Sequence, residues 1–125
     1  MKGVTLDAGA LIALDRDDRR VIALLARAAE LGARVTVPAT ALAQAIREPA
    51  KQARLSRLVR QPKTRIEPLE ASSATQVGLL LAASRTADIA DAHVVICARQ
   101  HDDVIVTSDP VDLRRLNPQA RIHSI

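Results

Sequence analysis

Five aspartates, Asp7, Asp88, Asp91, Asp109 and Asp112, are the residues of this chain best placed to do chemistry. Each also has an ordinary role. Asp7 follows an apolar run and can cap the helix after it by accepting backbone N–H bonds. Asp88 and Asp91 are spaced as an N-cap and its partner three residues on, and Asp109-Pro110-Val111-Asp112 repeats that arrangement with proline at the first helical position. Capping accounts for the acids singly but not together. Clustered carboxylates repel and raise one another's pKa unless a cation compensates. Aspartates without a Cys–His array point to a hard ion, Mg²⁺ or Mn²⁺. Such an ion can acidify a bound water and neutralise charge on a transferring phosphoryl group, which is the chemistry of phosphodiester hydrolysis. Asp7, Asp91 and Asp109, from distant positions in the chain, can line one cleft if their element ends meet. His93 stands two residues after Asp91 on the same helix and so points away from it; it reads as a surface or packing residue, with a role near the site as the alternative. His101 and His123 have no supporting spacing.

These acids meet only if the chain brings element ends together. Val4 to Asp7 reads as a short strand ending on an acid, and Ala8 to Leu14 as a short helix. Asp15, Asp17 and Asp18 read as a solvated loop and a cap. Arg19 to Leu31 has helical spacing, with Val21, Leu24, Leu25 and Ala28 on one face and Gly32 as its stop. Arg34 to Pro38 reads as a second strand. A helix from Ala39 to Arg47 is expected to turn Ala39, Leu42 and Ile46 inward, and after Pro49 another should run from Ala50 to Arg60. Arg47, Lys51, Arg54, Arg57, Arg60 and Lys63 recur at helical intervals, a basic stripe that fits a phosphate backbone or an ordinary solvated face. Arg65 to Leu69 reads as an edge strand because of Pro68. Helices follow over Ala71 to Ser84 and from Thr86 or Asp88, then a strand from Asp103 to Thr107, a helical turn at Pro110 to Leu113 and a last strand at Arg121 to Ser124. Strands alternating with helices predict an α/β sandwich with a mainly parallel central sheet flanked by helices. The strand carboxyl ends then share one edge, where crevices form.

The 125 residues fit a single domain, 1–125, with no linker or repeat. Phe, Tyr and Trp are absent, so the core must be aliphatic and no ring can stack on a base. The net charge of +4 includes fifteen arginines, which suit phosphate geometry. Cys97 alone excludes an internal disulfide and reads as a small buried thiol. No apolar run reaches the roughly 20 residues of a membrane span, and the first residues lack the regions of a signal peptide, so the cytoplasm is the default compartment.

Asp7 after the first strand, Thr40-Ala41-Leu42-Ala43-Gln44 on the third helix, Asp91 at a helix start and Thr107-Ser108-Asp109 together resemble a PIN domain. The likeness covers essentially the whole chain and is greatest to the VapC-type toxin ribonucleases of bacterial toxin–antitoxin pairs. It implies a PIN-like three-layer sandwich and an RNA substrate. It also implies a homodimer, and inhibition by a cognate VapB-like antitoxin that enters the cleft. Position by position, Asp7, Asp91 and Asp109 match the family's metal-binding acids, Asp88 and Asp112 its accessory acids, and Thr107 the hydroxyl that orients the site. Gln44 stands where the pattern has Glu, and its neutral amide should weaken metal binding. Gln44 therefore keeps open a second reading, a PIN-fold binding module without catalysis that still binds an antitoxin or RNA. An aspartate-nucleophile phosphoryl-transfer protein fits poorly: Lys2, Lys51 and Lys63 lie far from any later strand end, and residue 9 is glycine rather than an acid.

Overall fold

The computed structural model describes residues 3–125; Met1 and Lys2, and the readings above that fall on them, lie outside the described residues. Among the described residues, short β-branched runs form five strands: β1 Val4–Leu6, β2 Val35–Pro38, β3 Thr64–Glu67, β4 Val104–Thr107 and β5 Ile122–Ser124. They form one sheet in the order β3-β2-β1-β4-β5, with every neighbouring pair parallel. Val4 is level with both Val35 and Val104. Strands β1 and β2 are buried along their whole length, as strands covered on both faces must be. Strand β3 forms one edge, and Pro68 follows its last residue, where no ladder bond is lost.

Among the described residues, seven α-helices connect the strands: α1 Ala8–Asp15, α2 Arg19–Glu30, α3 Ala39–Ala45, α4 Ala53–Val59, α5 Ala71–Ser84, α6 Ile89–His101 and α7 Pro110–Leu116. From β1 through β2 to β3 the chain steps one way across the sheet; from β3 through β4 to β5 it steps the other way. Right-handed crossovers in opposite directions put their helices on opposite faces. The packing agrees, with α1 against α2 and α4, and α6 against α5 and α7. The result is an α/β three-layer sandwich. Leu6, Leu11, Val37, Val94, Val95, Val106 and Leu113 fill its core. Cys97 is buried there, and burial pushes its thiol up to about 12.

Three local expectations change. The inward residues of α3 are Ala41 and Ala45; Ala39 and Leu42 are half-buried and Ile46 is exposed. This short helix packs against both α1 and α6, and small side chains let the backbones approach. The segment Ala50 to Arg60 is not one helix but a 3-10 turn, Pro49–Lys51, followed by α4. Gln52 sits buried at the break and bonds backbone groups at Ala45, Arg47 and Glu48. The basic stripe is partly neutralised, because Lys51 pairs with Glu48 and Arg54 with Asp17.

Strands β1 and β4 lie side by side, and the chain leaves them in opposite directions. In an open parallel sheet such a switch point opens a crevice at the carboxyl ends of the strands. Asp7 follows β1 and Thr107 ends β4, so both stand at that crevice.

Candidate active site

Asp7 is buried and serves two elements at once. One carboxylate oxygen caps α1 by accepting the Ala10 N–H at 2.8 Å; the other accepts a short hydrogen bond from the Thr107 hydroxyl. The Thr107 oxygen in turn accepts the Asp109 N–H at 2.9 Å. This chain of bonds ties the end of β1 to the turn after β4 across 100 residues of sequence. Burial holds the Asp7 carboxyl above its usual range, and the Asp109 charge adds to this, while the bonds from Thr107 and Ala10 oppose it.

Asp88 caps α6, accepting the Asp91 N–H at 2.9 Å. Asp91 lies in the first turn of that helix. Burial, and then the charges of Asp88, Asp7, Asp112 and Asp109, push its carboxyl up to about 7. The carboxyl of Asp112, in the first turn of α7, is also raised, chiefly by its hydrogen bond with Asp109 and that group's charge. Acids from three element ends thus act on one point. A cavity of about 110 Å³ opens beside them, lined by Thr86, Asp88, Asp91, Asp112 and Arg115.

The shared ligand set expected of Asp7, Asp91, Asp109, Asp88 and Asp112 is not preassembled. Among the described residues, no three His, Cys, Asp or Glu side chains are gathered so that they could hold a metal ion. The physical reason lies in their present bonds and their mutual repulsion. Asp7 is engaged by Thr107 and Ala10, Asp88 by its own helix, and Asp112 by Asp109. The donor chemistry nevertheless fits a hard dication: all five acids offer oxygen, and Asp88, Asp109 and Asp112 are exposed.

Gln44 is exposed on the last turn of α3 and forms no hydrogen bond with these acids among the described residues. His93 is fully buried, directed away from Asp91, and bonded through Nδ1 to the Thr40 hydroxyl at 2.7 Å. Arg115 and Thr86 escape the sequence reading. Arg115 stands three residues after Asp112 on α7, the only signal that it shares the acids' cavity. A larger groove of about 790 Å³ lies elsewhere, between α2 and α4 near the starts of β2 and β3. It is lined by Leu25, Ala29 and Leu58, with Arg54, Arg57 and Lys63, and contains no acid.

A PIN-domain family model matches residues 4–117, and the chain belongs to the PIN-domain family. The fold is similar to that of VapBC2 from Rickettsia felis, seen in a crystal structure bound to a DNA fragment from their promoter. That likeness has a TM-score of 0.69 at 14% identity and covers 100% of this chain and 99% of the other. It is also similar to FitAcB from Neisseria gonorrhoeae, with a TM-score of 0.63, 19% identity, and 97% and 96% of the two chains covered. No curated protein matches the chain. Among the described residues, no helix is long and apolar enough to cross a membrane.

Proposed function

We propose that this PIN-domain protein is a Mg²⁺- or Mn²⁺-dependent endoribonuclease, the toxin of a toxin–antitoxin pair. One observation carries the reading: at the switch point of the sheet Thr107 ties Asp7 to the backbone of Asp109, beside a cavity lined by Asp88, Asp91 and Asp112. Such a concentration of negative charge works against folding and makes physical sense around a cation. Asp7, Asp91 and Asp109 would hold the ion, with Asp88 and Asp112 alongside. Bound there, it would acidify water and offset charge on the phosphate. Thr107 bonds both the Asp7 carboxylate and the Asp109 backbone, and so holds the end of β1 beside the turn after β4. Arg115, on the cavity wall, offers a guanidinium to a non-bridging phosphate oxygen.

The likeness to VapBC2 and FitAcB supports the toxin–antitoxin context. The groove between α2 and α4, apolar and lined also by Arg57 and Lys63, suits a further, amphipathic part of an antitoxin whose C-terminal segment enters the acid cleft. Exposed Leu79, Ile89 and Val111, on the packed helices α5, α6 and α7, suit a homodimer contact in the cytoplasm.

Asp7→Asn and Asp91→Asn should each reduce Mn²⁺-dependent cleavage of single-stranded RNA by about 100-fold or more, and chelator should abolish it. Undiminished cleavage by either variant would rule the mechanism out. Gln44 favours one competing reading, a binding module, because its neutral amide stands exposed where the family pattern has an acid. Tight binding of an antitoxin segment, with neither metal binding nor cleavage in the wild type, would establish that reading instead.

A further inference from the structure

Gly9 is the second residue of α1, and its backbone does not require glycine: among the described residues, Gly32 is the only glycine with positive φ. Glycine is otherwise a poor choice inside a helix, where alanine is better. The reason for it stands across the crevice. A Cβ on Gly9 would come within 2.3 Å of the Ser108 hydroxyl oxygen, while the other nearby atoms, Asp7 Oδ1 at 3.4 Å and Ser108 Cβ at 3.5 Å, leave ordinary room. The missing side chain therefore accommodates one atom, the Ser108 Oγ.

Ser108 separates Thr107, which binds Asp7, from Asp109. It is exposed, and its hydroxyl has no hydrogen-bond partner among the described residues. A hydroxyl seated against a glycine beside Asp7, yet without a partner among the described residues, is placed to meet a ligand. The groups around it are carboxylates, which repel an incoming phosphodiester; a neutral O–H donor beside them can hold one without adding charge. We infer that Ser108, seated against Gly9, donates its hydroxyl hydrogen to a phosphate oxygen of the bound RNA backbone and so positions the strand over the acids. This inference deepens the ribonuclease reading and rests on it.

The test compares wild type, Ser108→Ala, Gly9→Ala, the double variant and Ser108→Thr. A fluorescent single-stranded oligoribonucleotide is the probe, for binding in EDTA and for cleavage with Mn²⁺. Ser108→Ala should weaken binding and raise KM about five-fold, the size of one lost hydrogen bond, with the loss falling chiefly on KM. Gly9→Ala should do the same by turning the hydroxyl aside, without lowering thermal stability. Adding Gly9→Ala to Ser108→Ala should cost nothing further, and Ser108→Thr should recover most of the affinity. If Ser108→Ala binds and cleaves like an active wild type, or Gly9→Ala costs as much with Ser108 already removed, the inference is wrong while the ribonuclease reading stands. A folded wild type that neither binds nor cleaves RNA overturns both.

Discussion

Asp91 concentrates the electrostatics of the molecule on one carboxyl. Its rise from the ordinary 3.8 to about 7 comes first from burial and then from four neighbouring acids. Between those two values the folded chain keeps a proton that the unfolded chain has released. Stability from this group is therefore greatest in acid and is lost as pH rises through about 7. His93 works in the opposite direction. Burial lowers its pKa, so the unfolded chain takes up a proton that the folded chain refuses, and stability falls as pH drops below the ordinary imidazole value. Asp91→Asn removes the first effect and leaves the second. In EDTA, urea denaturation should show the variant gaining on the wild type as pH rises from about 5 to about 8. A constant difference across that range would mean that Asp91 titrates as an ordinary surface carboxyl.

Among the elements, α3 and α4 depend most on a single side chain. The Gln52 carbonyl accepts the Arg47 and Glu48 N–H groups at 3.0 and 3.1 Å, and its amide donates to the Ala45 carbonyl at 2.9 Å and to Asp15 at 3.3 Å. It satisfies the end of α3 and ties the connection to the end of α1. Gln52→Ala should cost about 2 kcal/mol of unfolding free energy, because the buried Ala45 carbonyl and the partly buried Arg47 and Glu48 N–H groups lose their partner. The Arg47 and Glu48 amides should then exchange faster with solvent, and unchanged exchange would refute the role. Helices α1, α2, α5 and α6 were legible in the sequence because their signals are local: spacing, caps and the Gly32 stop. The break at Gln52 was not, since the bonds that make it run to other segments. The buried face of α3 was equally hidden, because alanine on most sides leaves no apolar stripe to read.

For the molecule as a whole, the uncovered apolar surface is the feature with a measurable consequence. Leu79 is 68% exposed, Val111 65% and Ile89 53%, on helices that pack together on one side of the sheet. Leu79→Glu should shift the proposed homodimer to monomer in sedimentation equilibrium with the fold intact by circular dichroism, since a carboxylate cannot be buried unpaired in such a contact. A dimer unaffected by the change would place the interface elsewhere.

The alternation of strand and helix, the aliphatic core and the placing of acids at element ends could all be read from the linear order. Each depends on the chemistry of neighbours a few residues apart. Which strands would adjoin could not be read, because that is decided by packing among distant segments. The adjacency of β1 and β4 brings Thr107 onto Asp7 and Ser108 onto Gly9, and the burial that follows sets the proton affinity of Asp91. The same packing leaves Asp7 and Asp88 capping helices, Asp7 also held by a hydroxyl, and Asp112 bonded to Asp109, so that the five acids do not converge on one point.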